Sequence, residues 1–420
     1  MIDTIEVLNM KFPNIIVNQN EEYITMPAIK AFVKLHGISV PREAETSSRK
    51  KEEYIRAISA FADISDENRE IVSDWIDKVI KEGIKEVQIL NLAIGKEIDL
   101  LFSDPESAEQ YIKQYVNTPI QHLTGNEYDN NYRLVRADIV AGSHGRYASF
   151  LFCRMVRYHE TKTGKSSIVE YPVFADYYYE SGWMIIRYKS RSALFDNIPL
   201  EASLEELLKR PVSINDEIKK IRGYLNNILR FDSLDTKSAS AIMRAKFYEV
   251  LNRYTSTPQE IQTVLEENQA NIEALTNSLI QLCRLPAPYQ NKVSTDITNL
   301  VEKYLSITWP NKDIFIKDRD AYPTRLSTTD EEESKIDQTS ATIDDPLQSK
   351  EVFFDNKRML YNQKRCDGLT LIWKRKNRTY YSTGSFPVRF SEKGGICTLS
   401  FKQYVVEEDI ENVLFSIIYA

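Results

Sequence analysis

The spacing of apolar residues changes several times along the chain. Between Asp66 and Glu82, Ile71, Trp75, Ile76 and Val79 recur at helical spacing, so this stretch predicts an amphipathic helix. Asp66 is placed to cap it and Gly83 to end it. KEVQILNLAIG then reads as a strand, and DPESAEQYIKQYV (104–116) as a helix with Pro105 in its first turn. From about residue 132 the period shortens to two. YASFLFCRMVRYHE and SSIVEYPVFADYYYE flank the turn TKTGK, and a tight turn at Glu180-Ser181-Gly182 leads into WMIIRYKSRS. Three successive aromatic-rich strands predict a small antiparallel sheet. The helical period returns over 214–231, 238–254, 258–285 and 291–307, with TSTPQE as a capping start. After Pro323 an acidic, Ser/Thr-rich stretch has no period and is expected to be a flexible linker or loop. Strand patterns resume in GLTLIWKRKNRTYYSTGSFPVRF and GGICTLSFKQYVV, and EEDIENVLFSII closes the chain as a short helix.

The expected fold is therefore α+β. It divides into a small helical module (1–65), a body with an antiparallel sheet (66–200), and a helical bundle or insertion (201–317). An acidic linker (318–349) and a basic, β-rich C-terminal domain (350–420) follow.

The module repays a closer reading. In MPAIKAFVKLHGI, residues Ile29, Phe32, Val33 and Ile38 share one side and Gly37 suits a helix C-terminus. In RKKEEYIRAISAF, Tyr54, Ile55, Ile58 and Phe61 do the same. Helices this short are stable only when packed on something. The link SVPREAETSS delivers Arg49, Lys50 and Lys51 to the start of the second helix, where free backbone N–H groups and basic side chains together suit a phosphate. On Ile29-Lys30, Val33-Lys34, Gly37-Ile38 and the Lys51…Tyr54-Ile55 run, the stretch resembles the SAP family of helix–extended loop–helix modules found on DNA-associated proteins. The resemblance covers under a tenth of the chain; the loop is longer than the family's and lacks its usual glycine. It implies DNA contact through Lys50, Lys51 and neighbouring backbone, with Lys30 and Lys34 beside them.

Charge changes the picture further. The net charge of −7 argues against a nucleic-acid partner until it is divided. Residues 326–349 hold seven acids against one lysine, a net of −6, which is nearly the whole excess. Residues 130–200 hold ten bases and six acids, a net of +4, and residues 350–393 hold eleven and four, a net of +7. Two basic segments are hidden in an acidic total, although a solvated face accounts for the same charge. In WMIIRYKSR, the alternation of a strand puts Trp183, Ile185, Arg187, Lys189 and Arg191 on one face, a spacing that can track a phosphate backbone or simply protect a sheet edge. In WKRKNRTYY, Lys374, Arg375, Lys376 and Arg378 crowd a hairpin tip with Trp373, Tyr380 and Tyr381 at its base, which suits groove entry or base stacking.

Catalytic signals are weak by comparison. TGKSS has His159 where a phosphate-binding loop needs glycine, and it joins two strands rather than opening a helix. Cys153, Cys283, Cys366 and Cys397 are too scattered for a metal site, and the four histidines lack zinc-ligand spacing. Asp176 and Glu180 near Lys189 could assemble a metal-dependent nuclease site. The absence of a long apolar run and of a basic, apolar leader predicts a cytoplasmic protein without a membrane span. The expected function is a non-catalytic DNA-binding and interaction subunit with mainly phosphate contacts, no cofactor and no metal, in a mobile-element or antiviral defence setting. Double-stranded DNA is the first partner, RNA a second, and a protein partner or homo-oligomer a third. The alternatives are a metal-dependent nuclease and an oligomeric scaffold built on the helices of 214–307.

Overall fold

The computed structural model describes residues 23–47, 50–93, 96–116, 130–160, 164–190, 194–199, 202–329, 335–342, 345–376 and 384–420. The fold is α+β, in two compact units. The first comprises Met1–Asp235, Asn377–Ser382 and Thr398–Asn412; the second comprises Thr236–Lys376, Thr383–Cys397 and Val413–Ala420.

The first unit opens with three helices, α1 (Met26–Leu35), α2 (Lys50–Ala62) and α3 (Asp66–Lys81). Thr25 caps α1 by accepting from the Ala28 N–H at 3.4 Å, and Ser65, not Asp66, caps α3. Strand β1 (Glu86–Ala93) follows, then helices α4 (Lys96–Phe102) and α5 (Pro105–Lys113). Next come strands β2 (Arg133–Gly142), β3 (Gly145–Glu160), β4 (Lys165–Tyr178), β5 (Trp183–Tyr188) and β6 (Leu194–Asp196), helices α6 (Leu204–Leu208) and α7 (Ile214–Leu229), and the short β7 (Asp232–Ser233).

The sheet of this unit runs β2-β3-β4-β5-β1 with antiparallel pairing throughout, β6 attached to β3 and β7 to β1. It is larger than the three strands expected, because β2 and the early β1 join it. Both its faces are covered. Val135, Leu151, Cys153 and Phe174 pack against α1, α2 and α3, whereas Phe150, Phe152, Met184, Ile186 and Tyr188 pack with Phe102, Ile112, Ile218, Ile221 and Leu225 of the helices on the other side. Consequently all six residues of β5 are buried. Alternation in a strand fixes which face a side chain takes; only the layers above and below decide whether that face meets water.

The second unit begins with α8 (Thr236–Tyr254), α9 (Gln259–Glu267), α10 (Gln269–Cys283) and α11 (Gln290–Thr308). The expected helix over 258–285 is thus two helices, broken at Asn268. The acidic stretch expected as a linker contains two strands: β8 (Ala321–Thr329) pairs with β9 (Lys335–Thr339), and Asp337 forms a forked ion pair with Arg325 at 3.0 and 2.6 Å. Ala321, Tyr322 and Leu326 are buried there, so sheet pairing supplies the order that periodicity did not signal. Helix α12 (Glu351–Gln363) is an unexpected element at the start of the basic, β-rich C-terminal domain. Strands β10 (Gly368–Lys374) and β11 (Ser385–Lys393) form the expected hairpin, and the order is β11-β10-β8-β9. Phe247 of α8 meets Phe390 of β11 edge-on, 5.8 Å between ring centres. The last elements are β12 (Ile396–Phe401) and α13 (Glu407–Ile418). Among the described residues no helix is long and apolar enough to cross a membrane.

Candidate nucleic-acid interface

The helix–loop–helix is built by the division of α1 into two faces. Ile29, Phe32 and Val33 are buried, with Phe32 stacked on Trp75 of α3 at 4.4 Å. Lys30 and Lys34, one turn apart, stand on the exposed side. Gly37 ends the helix in the left-handed region (φ +61°) that glycine adopts without strain. The link is not simply extended: Arg42–Glu45 winds a 3-10 turn that brings Glu45 back over the helices.

Glu45 is the centre of the local electrostatics. Its carboxylate pairs with Lys30 at 3.1 Å, and it also accepts from Lys50 and from the Tyr54 hydroxyl. These donors, Lys50 first and then Tyr54 and Lys30, hold its carboxyl well below the usual range, at about 2. The same contact raises Lys50. An open groove of about 1020 Å³ lies alongside, bordered by Met26, Pro27, Lys30, Lys34, Leu35 and Lys50. Leu35, 78% exposed, and the three lysines give it a cationic rim with an apolar floor. Lys34 makes no ion pair among the described residues, and Lys51 sits half-buried one place beyond Lys50. Arg49 lies outside the described residues. Of the module's expected contacts, therefore, Lys30, Lys34 and Lys50 share one groove. Glu45 was missed; the signal for it was an acid five places before Lys50 in a polar loop.

The second expected place is corrected. Arg187 is 2% exposed and buried on the face covered by α1–α3, where it pairs with Asp176 at 3.7 Å and with Glu407. Asp176 also accepts from Ser149 at 2.7 Å and lies 4.0 Å from Lys81. Those carboxylates hold the Arg187 guanidinium protonated against the opposing effect of burial. Arg187 is thus an internal counter-ion, unavailable to a phosphate. Lys189 follows the end of β5, half-buried, its ammonium 5.1 Å from the Tyr23 ring, and burial pulls it down to about 8. Arg191 lies outside the described residues. Two further arginines of this sheet, both on β3, are likewise spent inside the unit. Arg154 pairs with Glu217 at 2.5 Å and Asp196 at 2.7 Å, and Arg157 donates to the Ile198 and Pro199 carbonyls.

The third place is partly corrected. Lys374 is the last residue of β10, and its ammonium donates to the carbonyls of Ile316 and, at 3.0 Å, Lys317. Trp373 is buried edge-on to Tyr254 and offers no stacking surface. Arg375 lies 4.9 Å over the Phe386 ring, and Lys376 is exposed. Arg378, Tyr380 and Tyr381 lie outside the described residues. The carboxylates considered for a nuclease do not gather: Asp176 serves Arg187 and Ser149, and Glu180 is exposed. Among the described residues no group of three or more His, Cys, Asp and Glu side chains is arranged to hold a metal ion. No protein-family model, no curated protein and no solved structure matches the chain.

Proposed function

We propose that this chain is a non-catalytic DNA-binding and interaction subunit that grips phosphates through its N-terminal, SAP-like helix–loop–helix. The observation that carries the reading is the convergence of Lys30, Lys34 and Lys50, from two helices, on one open groove. Three cations at one surface suit a polyanion whose charge is evenly spaced, and the apolar floor suits sugar rather than base edges. Such contacts are salt-sensitive and weakly sequence-specific. Arg187 plays no part, and among the described residues the contribution of the C-terminal hairpin is that of Arg375 and Lys376. Fluorescence anisotropy of a labelled duplex across a salt series tests this. Lys34→Glu/Lys50→Glu should weaken binding at least about tenfold at 50 mM salt and flatten the salt slope by about two. Unchanged binding by that variant removes the reading.

A second reading, an oligomeric scaffold, is favoured by one observation. Leu275 and Leu282, seven residues apart on α10, are 56% and 81% exposed, and Leu300 and Tyr304, one turn apart on α11, are 47% and 53% exposed. A second copy of the chain is the partner this reading requires. Sedimentation velocity of the wild type and of Leu282→Glu decides it: a concentration-dependent dimer that the variant loses supports the scaffold, and a monomer at all concentrations removes it.

A further inference from the structure

The second unit holds a cavity that none of the expected basic places includes. About 470 Å³ in volume, it lies between the first two turns of α8 and the end of α12. Thr236, Ser240 and Arg244 are spaced four apart on α8, so they share one face, and Lys237 flanks them. Lys364 and Arg365 form the opposite wall, immediately after α12. Lys364 occupies the left-handed C-cap position (φ 50°), which turns the chain sharply and keeps its side chain exposed. The Cys366 N–H donates to the Arg244 carbonyl at 3.1 Å and ties the two walls together.

We propose that this cavity binds a phosphate group. Four cations and two hydroxyls border it, while its lining contains neither a carboxylate nor an aromatic ring. An anion therefore meets no repulsion from the lining, and nothing there is suited to stacking a base; recognition falls on the phosphate alone. The supporting layer fixes the donors. Glu392 accepts from Ser240 at 2.7 Å and from the Nε of Arg244 at 3.1 Å, and Asp367 lies 3.1 Å from the same Nε. Glu392 holds Arg244 by its Nε, with Asp367 beside it as a second counter-charge, and the terminal guanidinium nitrogens make no hydrogen bond among the described residues. Arg365 is anchored by donating to the Thr329 carbonyl at 2.7 Å. The arrangement is a held guanidinium with unspent donors beside two exposed lysines, which is what a forked contact to a phosphate requires. This site is independent of the helix–loop–helix and of the function proposed for it.

The phosphate can come from a small anion or from a nucleic-acid backbone, and the experiment separates the two. Calorimetry of the full chain with sodium pyrophosphate at 50 mM salt, with sulfate as the control, is compared between wild type and Lys237→Gln/Lys364→Gln. Both positions are exposed, so the variant should fold, and circular dichroism checks that it does. Pyrophosphate binding near one per chain, weakened at least about tenfold in the variant, is the expected result. If only a DNA oligonucleotide binds and its affinity falls in the variant, while Lys34→Glu leaves that fall intact, the cavity holds a backbone phosphate and the inference stands with that source. Binding of neither ligand, or binding that the variant leaves unchanged, overturns it.

Discussion

Glu82 offers the clearest quantitative test of the first unit. It follows α3, is only 3% exposed, and accepts from the Glu407 N–H at 3.4 Å. Burial pushes its carboxyl up from 4.5 to about 7; that hydrogen bond and Lys78 oppose the rise, and Glu407 and Glu408 add to it. A carboxyl that holds its proton more tightly when folded stabilises the protein below about pH 4.5. That contribution is lost as the pH climbs through 7. The gap between the two values, at about 1.4 kcal/mol per pH unit, corresponds to about 3 kcal/mol. Glu82→Gln keeps the shape and an acceptor oxygen but cannot ionise. The variant should match the wild type near pH 4.5 and exceed it by about 3 kcal/mol at pH 8.5. Urea unfolding followed by tryptophan fluorescence, at intervals across that range, measures the difference while other titrations common to both proteins cancel. A difference that stays flat from pH 4.5 to 8.5 would refute the assignment of a buried, reluctantly ionised Glu82.

Three further outcomes are expected. Arg187→Met leaves Asp176 and Glu407 without their buried counter-ion and should cost about 3–5 kcal/mol in urea unfolding; a cost under about 1 kcal/mol contradicts its internal role. Gly395→Ala should destabilise by about 1–3 kcal/mol, read as a lowered melting temperature. Its Cβ would fall 2.4 Å from that of Ala239, at φ +81°. Glu45→Gln removes the carboxylate that engages Lys30 and Lys50 and should tighten duplex binding several-fold at 50 mM salt, with a steeper salt dependence; unchanged anisotropy curves would show that Glu45 does not compete with phosphate.

Much of the fold was legible where periodicity was strong. The helix over 66–82, the hairpin around Gly164 and the strand at 183–188 all stand close to their expected bounds. The stretch at 321–339 was not, because its acids and threonines carry no apolar alternation and its order comes from pairing with β10. Helix α12 was hidden by a reading that took 350–420 as one basic, β-rich domain. At the candidate site, the alternation of α1 correctly separated Lys30 and Lys34 from Ile29, Phe32 and Val33. The same logic applied to β5 put Arg187 on a face without revealing what covered it.

The sequence by itself determined where helices and strands run and which residues share a side, since both follow from local backbone geometry and the repeat of apolar residues. It also located the excess of positive charge by segment. Tertiary structure alone decided which charges are spent. Arg187, Arg154 and Lys374 answer to carboxylates or carbonyls distant in the chain, whereas Lys34 faces an open groove and Lys364 an open cavity. A net charge adds residues regardless of their partners, but an ion's availability depends on distances that only packing sets.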